Sequence, residues 1–102
     1  MELKKLTFPK KGEHYLKYIF QKQEDGVTVD CGSVFLKKGE ILPYKTLESN
    51  EISLLISGKL LVYTKDNQKT EMNPGDLIYI HKDEIRETET IEDSEVLFFL
   101  FA

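Results

Sequence analysis

Short β-prone runs of apolar and β-branched residues alternate with turn-forming residues along most of the chain. The runs occupy residues 15–20, 27–36, 51–57, 59–65, 76–80, 84–90 and 95–101. The segments between them are rich in Gly, Asn, Asp, Ser and Pro, which are typical of turns. Turns at this regular spacing predict an all-β protein, a sandwich or barrel of antiparallel strands.

Three segments predict specific elements of this β-structure. Residues 84–92 are rich in Glu, as many helices are, but their Ile and Thr residues alternate with charged residues at a period of two, which predicts a strand with one exposed face. Residues 56–63 predict a tight hairpin with Ser57 and Gly58 at or near its tip. Residues 69–80 predict a strand, a Pro-Gly turn and a second strand. We therefore expect an antiparallel meander or jelly-roll.

Length and composition predict one soluble globular domain over residues 1–102, since 40% of the 102 residues are hydrophobic and 31% are charged. The longest apolar runs are much shorter than the roughly 20 residues needed to cross a bilayer, so no membrane association is expected. The N-terminal residues show no secretory signal, so we expect a cytoplasmic protein.

The single cysteine and the charge pattern bear on thiol chemistry and on nucleic acid as a partner. Cys31 cannot form an intrachain disulfide, and we expect it to be a small buried residue, with a reactive thiol as the alternative. The net charge is −4, so the overall balance is acidic, and the lysines near the N-terminus are not expected to be interleaved with exposed aromatic residues. This is not the pattern of a nucleic-acid-binding surface, so nucleic acid is not an expected partner.

Residues 39–58 have the residue spacing of a metal-binding motif. The order is Gly39, five residues, Lys45, one residue, Leu47, three residues, Glu51, six residues and Gly58. This resembles the first motif of the cupin family, which has glycine, histidine, histidine, glutamate and glycine at the same spacing. The spacing fits, but both histidines are replaced.

The second cupin motif has a partial counterpart in residues 75–90. Gly75 and Asp76 fit it, His81 stands in place of its proline, Arg86 in place of its ligand histidine, and Thr90 near its asparagine. The resemblance covers about residues 27–101 and implies a cupin double-stranded β-helix, a jelly-roll barrel. Residues 50–60 and 75–85 are similar to the ethanolamine-utilization type of cupin, which also lacks histidines.

The resemblance also implies where a metal would bind. Cupin metal sites use three histidines and one glutamate, and the corresponding residues here are Lys45, Leu47, Arg86 and Glu51. Only Glu51 can donate an electron pair to a metal, because lysine and arginine are protonated and leucine has no donor atom. We therefore expect no bound transition metal and no cofactor, and the usual metal-dependent cupin reactions are not expected. A separate metal site at His14 and His81 would require the two side chains to meet in space, which the sequence leaves open.

Three functions remain open from the sequence. The first is binding of a small anionic metabolite or sugar in the barrel, because an arginine fork and a lysine charge suit carboxylates and phosphates. The ligand-binding residues would be Lys45, Leu47, Glu51 and Arg86, with Tyr44, Tyr79 and His81 as secondary candidates. In the alternative interpretation of this cluster, Glu51 pairs internally with one of the two cations.

The second is a metal-independent enzyme, such as an isomerase or epimerase, with Glu51 or His81 as base. Its acid would be Lys45 or one of the tyrosines, Tyr44, Tyr63 or Tyr79. The third is a structural or regulatory subunit with a filled pocket, which Leu47 favours.

The C-terminal run, residues 96–102, is apolar on both faces, whereas a sheet with one solvated side needs only one apolar face. A homodimer that covers the second face is therefore expected. The alternative is that this strand is central in the barrel and covered on both sides by its own chain.

Overall fold

The computed structural model describes residues 1–45 and 48–102, with only the backbone described for residues 43–45. The strands are β1 (Leu16–Glu24), β2 (Val27–Leu36), β3 (Ile41–Lys45), β4 (Asn50–Thr64), β5 (Lys69–Met72), β6 (Leu77–Ile80) and β7 (Arg86–Phe101). The described residues contain no helix, and hence none that could span a membrane. The all-β prediction is confirmed.

The two longest strands, β4 and β7, are antiparallel neighbours over nearly their whole length. Their ladder is irregular between Leu55 and Leu60, where register shifts divide each strand into two halves. One half, residues 50–57 with 94–101, is flanked by β2 and β1 on one side and by β6 on the other. The other half, residues 59–64 with 86–92, is flanked by β3 and β5. We call these halves the first sheet and the second sheet.

The predicted hairpin at Ser57 and Gly58 is wrong. Ser57 pairs with Glu95 and Lys59 pairs with Glu92, so the residues on both sides of Gly58 pair with β7 and not with each other. Gly58 has a φ of 97°, a conformation that favours glycine. A Ser-Gly pair of this kind also suits a β-bulge that bends a strand, and that is its role here.

The core lies between the two sheets. The first sheet contributes buried side chains such as Leu55, Val96 and Phe98, and the second sheet contributes Leu60 and Val62, all within one hydrophobic cluster. Each such side chain stabilises the fold by about 1.5–3 kcal/mol through its burial. Because one cluster contains residues of both sheets, the inner faces of the sheets must face each other.

The N-terminal segment, residues 1–10, lies on the outer face of the first sheet at its β1–β2 end. The Ser33 hydroxyl donates to the Thr7 carbonyl at 2.5 Å, and the Lys17 ammonium donates to the Thr7 hydroxyl at 2.7 Å. The Lys4 ammonium donates to the Ile19 carbonyl at 2.8 Å. This part of the outer face is therefore covered by the chain itself.

Cys31 lies on β2, and its side chain is half-buried. Burial raises the pKa of the Cys31 thiol, because the charged thiolate is less well solvated there. A higher pKa lowers the thiolate fraction at neutral pH, which favours a structural role over a reactive one.

Candidate functional site

A cavity of about 280 Å³ opens between the inner faces of the two sheets. Most of its wall is aliphatic or aromatic, with side chains such as Leu36, Val62 and Phe98. Its charged groups, among the described residues, are Glu51 and Arg86. The cavity is therefore an apolar chamber with one charged region in its wall.

That region is an ion pair between strands that are distant in sequence. Arg86 is the first residue of β7, and its Nη2 donates to Glu51 Oε1 on β4 at 2.5 Å. Ser53 Oγ donates to the other carboxylate oxygen, Oε2, at 2.7 Å. The Arg86 side chain is only 6% exposed. Both oxygens of Glu51 thus have a donor, and the buried guanidinium has a counter-charge.

The local strand pattern explains why these side chains meet. Glu51 and Ser53 are two residues apart on β4, so both point to the same side, as do the buried residues that follow them. Arg86 begins the inward-facing series of β7, which continues through Thr88 and Thr90. Inward-facing positions of two bent strands therefore bring an acid and a base together across the barrel.

The structure describes only some of the other predicted site residues. The backbone of Lys45 pairs with Arg86 on the neighbouring strand β7, while the side chains of Lys45 and Tyr44 lie outside the described part of the chain. Leu47 lies outside it entirely. The predicted roles of these three side chains stay predictions.

Three of the four described acid–base candidates do not line the cavity. His81 is an exposed turn residue directly after β6, and its Nδ1 accepts from the Asp83 amide at 3.2 Å. The Tyr63 hydroxyl donates to Glu89 Oε2 at 2.9 Å, on the outer side of the second sheet. Tyr79 is 55% exposed on the edge strand β6. His81, Tyr63 and Tyr79 are thus separated from the cavity, whereas Glu51 is in its wall.

A second, smaller pocket of about 170 Å³ lies next to the cavity and shares Arg86 with it. Its wall also contains Thr64, Thr70, Gln68 and Tyr79. Arg86 therefore separates an apolar inner space from a more polar outer one.

Sequence reasoning missed four polar residues of the cavity wall: Tyr15, Tyr18, Ser53 and Thr88. Tyr18 pairs with Gly32 on β2, and its ring packs edge-on against Phe98 at 6.1 Å between centroids. The signal was available, because Leu16 and Tyr18 alternate with lysine and isoleucine at the start of β1.

No protein-family model and no curated protein matches the sequence. Solved structures do match. A cupin superfamily protein from Desulfitobacterium hafniense aligns over 90% of this chain and 82% of its own, with a TM-score of 0.68 and 17% identity. This chain has the cupin fold.

The cupins that match include two ethanolamine utilization proteins, which are similar to this chain over a little more than four fifths of its length. A putative EutQ from Salmonella typhimurium aligns with 83% of this chain and 66% of its own, with a TM-score of 0.71 and 22% identity. EutQ from Clostridium difficile aligns with 84% and 60%, with a TM-score of 0.71 and 23% identity. The predicted cupin jelly-roll is confirmed, and the similarity noted to the ethanolamine-utilization type extends to the fold.

A cupin fold implies a metal site, and the described residues do not fit one. No group of three or more His, Cys, Asp or Glu side chains within residues 1–42 and 48–102 could hold a metal ion. Glu51 is the donor that the cupin motif retains, but both of its oxygens accept hydrogen bonds and a guanidinium lies beside it. A divalent cation would have to displace the Arg86 contact and tolerate its charge.

Proposed function

We propose that the protein binds a small, largely apolar molecule in the barrel cavity, with one polar group directed at the Glu51–Arg86 pair. The observation that carries this proposal is the apolar chamber of about 280 Å³ with one ion pair in its wall. Ligand sites are typically apolar concavities with a few polar groups that fix orientation.

The cavity limits the size of the ligand. Its volume is just below the roughly 300–1,000 Å³ of pockets that hold drug-sized molecules. A compound somewhat smaller than those, with an alkyl chain or a single ring, would fill it. The aromatic rings of Tyr18 and Phe98 offer a contact surface for such a body.

The ion pair changes the sequence-based expectation of an anionic metabolite or sugar. An anion would have to compete with Glu51 for the Arg86 guanidinium, because the two are already bonded at 2.5 Å. A sugar would bring many hydroxyl groups against aliphatic walls, where hydroxyls without partners are costly. A single uncharged amide or alcohol group on an apolar body suits this wall better.

The other two functions have weaker support. A base at Glu51 would have to share its carboxylate with Arg86 and Ser53, which already donate to its two oxygens. The described residues do not fill the pocket, since they leave a cavity of about 280 Å³.

A thermal-shift screen tests the proposal. We expect medium-chain and aromatic amides and alcohols to raise the melting temperature, and carboxylates, sugars and sugar phosphates to leave it unchanged. A ligand at about ten times its Kd stabilises the folded state by about 1.4 kcal/mol, which corresponds to several degrees in a domain of this size.

Two variants of one strand locate the binding site. Thr88→Phe fills the cavity, because Thr88 is in its wall, whereas Glu87→Phe places the same ring on the opposite face of β7. We expect the thermal shift to disappear in the first variant and persist in the second. A shift that survives Thr88→Phe, or no shift with any apolar compound, would contradict the proposal.

We also propose that the site holds no transition metal, since Glu51 is already bonded to Arg86 and Ser53. Elemental analysis of the purified protein, before and after incubation with manganese, iron, nickel and zinc salts, should give a metal content near zero. A near-equimolar metal in either sample would show that this assignment is wrong.

A further inference from the structure

One row of residues crosses the inner face of the first sheet, on the floor of the cavity. Tyr18, Gly32, Phe98 and Ser53 are successive register partners on β1, β2, β7 and β4. The three of them that have side chains all line the cavity. The row therefore runs from an aromatic end at Tyr18 to a polar end at Ser53, whose hydroxyl donates to Glu51.

Gly32 allows the Phe98 ring to lie toward the aromatic end of this row. A Cβ at residue 32 would be 2.5 Å from Phe98 Cζ, so the ring lies directly over the Gly32 backbone. The Tyr18 ring meets the Phe98 ring edge-on, at 79° between their planes. The cavity wall also contains Tyr15, whose carbonyl accepts from the amide of Phe35 on β2. Among the described side chains, the aromatic rings of the cavity thus gather on its β1–β2 side.

We propose, resting on the binding function above, that the ligand of the cavity is an arylalkyl alcohol or amide, with one aromatic ring at one end and an uncharged polar group at the other. Its ring packs against Tyr18 and Phe98, because aromatic rings attract one another in edge-on and offset arrangements. Its hydroxyl or amide group donates to Ser53 Oγ or to the Glu51 carboxylate, whose oxygens can each accept more than one hydrogen bond.

The row also sets the length of the ligand. The end of the Phe98 ring lies over β2, two strands away from Ser53 on β4, and adjacent strands are about 4.8 Å apart, which gives a separation of about 10 Å. A hydrogen bond takes up about 3 Å of it. The ring and the polar atom of the ligand are then about 7 Å apart, which an extended chain of about three or four carbon atoms spans.

A matched series of compounds tests this ligand class. Phenylalkyl alcohols with one to six carbon atoms in the chain, and straight-chain alcohols of the same overall length, are titrated into the wild-type protein by calorimetry. We expect the tightest binding at three or four chain carbons. At that length the phenylalkyl alcohol should bind about three- to tenfold more tightly than the straight-chain alcohol, because only the ring gains the aromatic contacts.

Two adjacent residues of β7 provide matched variants. Phe98→Leu removes the ring that lines the cavity, whereas Phe99→Leu makes the same change on the outer face of the first sheet, where Phe99 is 38% exposed. We expect the preference for phenylalkyl alcohols to disappear in Phe98→Leu and to persist in Phe99→Leu. If Phe98→Leu does not fold, Tyr18→Leu replaces it, since Tyr18 is 45% exposed, and should reduce the preference by at least about twofold.

The outcomes distinguish this inference from the binding function on which it rests. Equal affinity for the two series, or a preference that persists in the folded Phe98→Leu or Tyr18→Leu variant, would overturn the aromatic assignment and leave apolar binding in place. Tightest binding at one or at six chain carbons would overturn the position given to the polar group. Failure of both series to bind would refute the binding function itself.

Discussion

The Glu51–Arg86 pair can be tested by a double-mutant cycle with Glu51→Gln and Arg86→Met. Removing one member of a buried ion pair costs about 3–5 kcal/mol, because the other charge is left uncompensated. The Glu51 side chain keeps 20% of its surface exposed, so we expect Arg86→Met to cost about 3 kcal/mol, at the low end of that range. Glu51→Gln keeps an acceptor for Arg86 and Ser53 and should cost about 2 kcal/mol.

The double variant leaves no unpaired charge, so its cost should be smaller than the sum of the two single costs by about 2 kcal/mol. Urea unfolding at pH 7, followed by circular dichroism and by the fluorescence of the five tyrosines, measures all four proteins. Single and double costs that add within about 0.5 kcal/mol would show that the two groups are not coupled in solution. Arg86 would then be a free cation in the cavity wall, and an anionic ligand would again be the better proposal.

Two further predictions concern single residues in the bend and the core. Gly58→Ala should cost about 3 kcal/mol or more in urea unfolding, because the added Cβ would lie 2.3 Å from the Asp93 carbonyl oxygen at a positive φ. Gly39→Ala has a similar φ but open space around it, so it should cost only about 1–2 kcal/mol, and equal costs would refute the steric argument. Thr90→Val should stabilise the protein by about 1 kcal/mol, since the buried Thr90 hydroxyl has no hydrogen-bond partner within the described residues. A melting temperature lowered by Thr90→Val would indicate that this hydroxyl is in fact bonded.

The strand content was predictable because each strand is specified by its own residues. Residues 27–36 were predicted as a strand and form β2 with the same bounds. The joining of strands was not predictable in this way. Residues 84–90 and 95–101 were predicted as two strands, but residues 86–90 and 95–101 belong to the single strand β7. A local pattern cannot distinguish a turn that ends a strand from a bulge that bends it, because the difference lies in which distant strand the next residue pairs with.

The candidate site was predictable to the same extent: the sequence placed its residues along the chain, but not the contacts between distant strands. The motif spacing placed Glu51 and Arg86 at corresponding cupin positions, and the structure brings them within 2.5 Å. The spacing could not say whether Arg86 would face a ligand or Glu51, because that depends on the direction of two side chains across the barrel. The apolar lining depends on strands that the motifs do not include, such as β1 with Tyr18. Three of the four metal-ligand positions of the fold, all but Glu51, are replaced in the motifs, whereas the character of the remaining chamber is set mainly by residues outside the ligand positions.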